Sequence, residues 1–291
     1  MKSRSTTLKI IVLIALVLLS CAYLLPIYIM VITSLKSIEE VTMGNYLVPT
    51  LKPQFSNYVE VLFGSSRFRT QMMPRLLNSI IISFSVTVLS AFFGGLSGYF
   101  LSRSRSTLVR ILFVLVGIAL YLPYQAIIIP LVTIVARFNG LLASLQLQSS
   151  LLAYMGLIIS YLVLNLPLAS VLMGTFFLSV PRELEEAAEV DGASKIQTFF
   201  QIVTPVSMPA YVSVAIIIFT QVWNEFFLAL SLATPTTQTV QVVMAEAKGT
   251  TLVVYNLQMA AALIAVLVPL LFFLLLGRYF IRGILAGALK G

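Results

Sequence analysis

Six apolar runs restrict this chain more than any other feature. They cover residues 10–33, 76–101, 111–135, 151–176, 209–232 and 257–280. Each has about the 20 residues a helix needs to cross the hydrocarbon core of a bilayer. In lipid every backbone N–H and C=O must be satisfied within the structure, so runs of this length form helices. The expected fold class is therefore an all-α membrane protein with six transmembrane helices. An even number of spans puts both termini on one side. Composition agrees: 10% of the 291 residues are charged, against about 25% in an ordinary soluble domain.

The net charge of +8 does not point to nucleic acid, because the basic residues flank the apolar runs, where topology wants them. With the N-terminus inside, Lys and Arg number eleven on the inner segments and seven on the outer ones. The outer segments are also longer in total, so positive charge is denser inside. The expected orientation therefore has both termini cytoplasmic. Lys2, Arg4 and Lys9 before an apolar run also suit a signal peptide, and Leu18-Leu19-Ser20-Cys21 looks like a lipoprotein cleavage box. The run continues past Cys21 to Thr33, so we read an uncleaved helix. The chain has no histidine and one cysteine, which argues against a metal site, an internal disulfide or histidine-based catalysis. No catalytic residue is expected.

Between the fourth and fifth runs lies the most polar stretch, with five acids in residues 183–191. Pro181 suits the first turn of a helix. Glu183, Glu185 and Glu186 then favour its N-terminal dipole. Leu184, Ala187 and Ala188 fall on one narrow face that another surface can approach closely. Gly192 suits the stop. Ile196, Phe199, Phe200 and Val203 make the apolar stripe of a second helix, ended by Pro205 and Pro209 at the next membrane entry. Five acids fit a lipid surface poorly, since the cytoplasmic leaflet is anionic. A protein partner with a basic rim fits better.

These residues resemble the signature of ABC importer permeases. It appears as Glu186-Ala187-Ala188, Gly192, Ile202 and Thr204-Pro205, with Thr204 in place of the family's leucine. Further similarity to the carbohydrate branch lies in Pro123-Tyr124-Gln125, Ile129-Pro130-Leu131, the run from Pro181 through Ala188 with Asp191-Gly192-Ala193-Ser194, and Trp223-Asn224-Glu225-Phe226. The glycine-rich end, from Gly283 to Gly291, resembles that of the shorter, maltose-type membrane subunit. The resemblance implies a type I importer permease fold with a cytoplasmic coupling helix in the loop 177–208. It implies a six-span permease domain at 10–280, between a cytoplasmic N-terminus at 1–9 and a C-terminal tail at 281–291. The implied partners are a second homologous permease, two ATPase subunits, an extracytoplasmic solute-binding protein and the lipid bilayer. Glu186, Ala187, Ala188, Asp191, Gly192 and Pro205 would couple to the ATPase. Glu186 would be the charge partner and the alanines the close-contact face. The outer loop 36–75 would help receive the binding protein.

A G-x-x-x-x-G-K-[ST] phosphate loop is absent from the sequence. The resemblance accordingly implies that no cofactor is bound by this chain, with ATP and Mg on the partner ATPase subunits.

Glu225 is the one acid within a predicted span, and an intramembrane carboxylate is a functional hypothesis by default. With Asn224 it either faces the translocation pathway or pairs with the partner permease. Trp223 either stacks on a sugar ring or packs as an ordinary aromatic. Gln125 and Asn165 are further pathway candidates; Pro123, Pro130 and Pro167 either line the pathway or kink their helices for packing. Gly94 and Gly98 have a spacing for close helix packing. The expected function is the permease subunit of an ATP-driven importer for a sugar, polyol or related osmolyte. An ion-driven secondary transporter is the alternative, and it would want more buried ionisable groups.

Overall fold

The computed structural model describes residues 2–145, 150–248 and 254–288. These residues contain no strand. In chain order the helices are α1 (Lys2–Ser34), α2 (Ile38–Thr42), α3 (Ser56–Phe63), α4 (Met72–Arg103) and α5 (Thr107–Ala119). A 3-10 turn, Tyr124–Ile127, runs into α6 (Ile128–Ser144), followed by α7 (Ser150–Ser179) and α8 (Glu183–Val190). Then come α9 (Lys195–Thr198), a π turn at Phe199–Val203, α10 (Thr204–Val206), α11 (Met208–Asn224) and α12 (Phe227–Leu232). Helices α13 (Val240–Lys248) and α14 (Tyr255–Ala288) complete the order. Among the described residues five stretches are long and apolar enough to span a membrane, and a sixth follows if Lys195–Val206 and Met208–Asn224, bent by 75°, count as one.

Two of the expected spans are interrupted. The run 111–135 is not one helix: it divides at residues 120–123 between α5 and the 3-10 turn. Leu120 N–H closes back on Gly117 O at 3.3 Å, a tightened last turn. Pro123 then lacks an N–H and sits extended, at φ −68° and ψ 112°, so it cannot continue the ladder. The run 209–232 breaks at Glu225, which is extended at φ −73° and ψ 129°. The last helix does not stop at 280 but continues to Ala288; residues 289–291 of the expected tail lie outside the described residues.

The chain divides into two compact units. One comprises Met1–Pro74 and Val243–Leu267. The most apolar stretch of α1 buries none of its residues. The polar part of this unit is knotted around Lys36, which is fully buried. Asn57 Nδ2 donates to the carbonyls of Ser34 (2.8 Å) and Lys36 (2.9 Å), and Asn256 Nδ2 donates to Lys36 O at 3.1 Å. The Lys36 ammonium donates to Asn45 O. Buried amides that satisfy carbonyls at a helix end remove orphan acceptors that would otherwise destabilise it.

The other unit comprises Arg75–Val242 and Val268–Gly291. Its core gathers Ile82, Val86, Leu157, Met173, Phe177, Ile218 and Leu228 from α4, α7, α11 and α12. Gly98 is needed for the approach of α4 to α7: a Cβ there would lie 2.7 Å from Gly174 N and Ser170 O. Beside it, the Ser97 and Ser170 hydroxyls bond at 2.6 Å. Asn78 Nδ2 donates to the Thr236 and Gln238 carbonyls, each at 2.9 Å, while Tyr154 O–H donates to Asn78 Oδ1 at 2.6 Å.

Candidate functional site

The acidic segment forms α8, with Glu183, Glu185 and Glu186 in the first turn. Pro181 lies one residue before the N-cap, Arg182, rather than in that turn. The expected stop is built at Gly192, whose φ of +85° is left-handed, where glycine carries no Cβ penalty. Ala193 N–H returns to Ala188 O at 2.9 Å. Ser194 and Gln197 then cap α9 reciprocally, a capping box that the sequence carried as Ser-x-x-Gln.

The expected narrow face on α8 is divided. Ala188 is buried within its own chain, while Leu184 and Ala187 are exposed and Val190 is 87% exposed. Ala188 therefore packs against its own chain. The outer surface is Leu184, Ala187 and Val190 among Glu183, Glu186 and Glu189. The inner acid is Glu185, three residues before Ala188. Its Oε2 accepts from Tyr99 O–H at 2.7 Å, and its Oε1 pairs with Arg103 at 2.5 Å. Arg103 also donates to Val180 O at 3.0 Å. Sequence reasoning singled out Glu186 and missed Glu185. The available signal was an arginine ending the second apolar run with no acid near it in sequence.

The second stripe also splits. Phe199 and Val203 are buried, whereas Ile196 is 72% and Phe200 46% exposed. The π turn at Phe199–Val203 adds a residue to the local repeat and rotates the stripe. Phe199 packs on Tyr99 (4.9 Å between ring centroids), and Phe177 packs on both Tyr99 (5.7 Å) and Tyr211 (6.5 Å). Pro205 and Asp191 are exposed.

A second feature lies at the break after α11. Glu225 Oε1 accepts from Tyr124 O–H (2.9 Å) and Oε2 from Tyr161 O–H (2.7 Å). Both oxygens also accept from Leu228 N–H, and Oε2 from Ala229 N–H at 3.2 Å. The carboxylate thus sits at the positive end of α12. It lines a cavity of about 400 Å³ with Tyr124, Tyr161, Asn165, Gln221 and Leu168. Of the pathway candidates, Asn165 and Glu225 meet at this cavity. Gln125 and Asn224 are exposed and do not line it. Trp223 is 2% exposed, with its ring parallel to Phe219 at 5.8 Å, so it faces protein rather than the cavity. Tyr124, Tyr161 and Gln221 were not anticipated. Among the described residues no cluster of acids or cysteines could hold a metal ion.

Residues 90–285 match the family described as the binding-protein-dependent transport system inner membrane component. The chain belongs to that family. As a permease of this family it is a membrane-spanning transport component, not an enzyme. It is 36% identical to the glucose import system permease protein GlcU of Saccharolobus solfataricus, across 94% of this chain and 92% of that one. It is 30% identical to the melibiose/raffinose/stachyose import permease protein MelC of Bacillus subtilis, across 99% of both. The permease fold agrees with a chain in the crystal structure of a bacterial ABC transporter that imports the acidic polysaccharide alginate, with TM-score 0.75, 20% identity, and coverage of 94% of this chain and 97% of that one.

Proposed function

We propose that the chain is the permease subunit of an ATP-driven, binding-protein-dependent importer for a sugar or a related polyol or osmolyte. The observation that carries the coupling half of this reading is α8, a short helix with an outward apolar and acidic surface, Leu184, Ala187 and Val190 among Glu183, Glu186 and Glu189. Such a surface fits an apolar groove with a basic rim on an ATPase subunit. In this reading α8 is the coupling helix, Glu186 and Ala187 touch the ATPase, and Gly192 turns the chain back. ATP and Mg belong to two ATPase partners. A second homologous permease completes the pathway, and a solute-binding protein delivers from outside. Both termini are then cytoplasmic, in the inner membrane.

The sugar assignment is supported by the named solutes of GlcU and MelC. The cavity is consistent with a neutral hydroxylated solute, because Asn165, Gln221 and Tyr124 offer amide and hydroxyl groups. An ion-driven carrier is disfavoured, since Glu225 already holds two hydroxyls and two amides.

The test is reconstitution with the candidate permease, ATPase and binding-protein partners in liposomes, with a panel of sugars. Uptake that requires ATP and one loaded binding protein, abolished by Glu186→Lys, is expected. Uptake driven by a proton or sodium gradient without ATP would overturn the reading. Asn165→Ala should weaken uptake by about tenfold while leaving ATPase docking intact, the loss of roughly one good hydrogen bond to solute.

A further inference from the structure

The geometry points to Glu185 as a positioning residue that carries motion of α8 into the end of α4, an inference that rests on the importer reading above. Helix α8 is joined covalently to α7 and, through α9 and α10, to α11. Chain connectivity alone would move only those helices. The Glu185 carboxylate adds a third, non-covalent connection. Tyr99 and Arg103 stand four residues apart on α4, hence on one face, and together they hold both of its oxygens. Arg103 lies in the last turn of α4, where a cation favours the helix dipole. Its guanidinium also donates to Val180 O, so one side chain ties the ends of α4 and α7 to α8.

The pair is well shielded, with side-chain exposures of 13% and 14%. Salt screens it less than a surface pair. The same tyrosine packs its ring on Phe177 and Phe199, so the α4 end is also seated on the π turn. Displacing α8 therefore displaces α4 or breaks a shielded ion pair. Glu186, next in sequence, is exposed and free to meet a partner. The two adjacent glutamates divide the work: Glu186 faces outward to receive the push, and Glu185 faces inward to distribute it.

The test uses the reconstituted importer and reads solute imported per ATP hydrolysed, normalised to assembled complex. Glu185→Ala and Arg103→Met should each lower that ratio by about fivefold or more, the lower range of ordinary coupling between sites, while ATP hydrolysis persists. Tyr99→Phe should lower it less. Glu185→Gln, which still accepts from Tyr99 but lacks the charge that holds Arg103, should give an intermediate ratio. An unchanged ratio in Glu185→Ala and Arg103→Met, or uptake and hydrolysis falling in proportion in all variants, overturns the inference and leaves the importer reading standing. Absence of ATP-driven uptake in the wild-type assembly overturns both.

Discussion

Glu185 and Glu225 are both carboxylates drawn away from bulk water and both are held by tyrosine hydroxyls, yet their charges are met in different ways. Glu185 has a full cation, Arg103, beside a single tyrosine. Glu225 has two tyrosines and the backbone N–H groups that open α12. Dipoles fixed by the fold cannot be exchanged without undoing the break between α11 and α12. A side-chain ion pair between two helices can be broken, swapped or re-formed. The difference teaches that Glu225 is a fixed part of the cavity wall, whereas Glu185 is a joint.

The comparison breaks most readily at Glu225. Glu225→Ala strands two hydroxyls and two amides, and each unsatisfied buried group costs about 1–3 kcal/mol. We expect a loss of at least about 3 kcal/mol, read as a large drop in thermal unfolding temperature in detergent, with Glu225→Gln losing less. A shift no larger than that of Glu185→Ala would erase the distinction between wall and joint. Gly98→Ala comes next. It pushes α4 off the α7 backbone beside Tyr99, and overpacking of this kind costs about 2 kcal/mol. Import per ATP should fall with it, while a sugar that occupies the cavity should still bind with its normal affinity; weakened binding would show that the two regions are not independent. The smallest effect separates the two tyrosines. Tyr161 is 2% exposed and Tyr124 partly exposed, so Tyr161→Phe should cost about 1 kcal/mol and Tyr124→Phe roughly half that. Equal losses would mean that burial does not set the strength of the wall.

The six apolar runs were legible because hydropathy alone decides whether a segment can sit in lipid. The two breaks were not. Hydropathy is blind to backbone direction, and residues 120–123 and Glu225 sit in runs that stay apolar on both sides. Pro123 did mark the first break, since it cannot donate to the helix ladder. The acidic helix and its glycine stop could be read from local rules of capping and left-handed turns. Which of its acids turns inward could not, because Arg103 is 82 positions from Glu185 in sequence and a helix of eight residues takes its facing from what it packs against. Ala188 and Phe200 were misplaced for the same reason, aided by a π turn that no periodic pattern announces. Tyr124 and Tyr161 were invisible as partners of Glu225 because they reach it from 101 and 64 residues away.

The bend at Ser207 lets one stretch of chain serve two directions. The hydrogen-bonded ladder runs through it, from Ser207 N–H to Val203 O at 3.0 Å and from Tyr211 N–H to Ser207 O at 3.2 Å, and Ser207 is itself buried. The two arms meet there at 75°. The arm Lys195–Val206 is about 18 Å long and α11 about 25 Å, at 1.5 Å per residue. The far end of α11 is where the helix stops and Glu225 begins, so the two arms together cover the distance from the turn after α8 to the cavity wall.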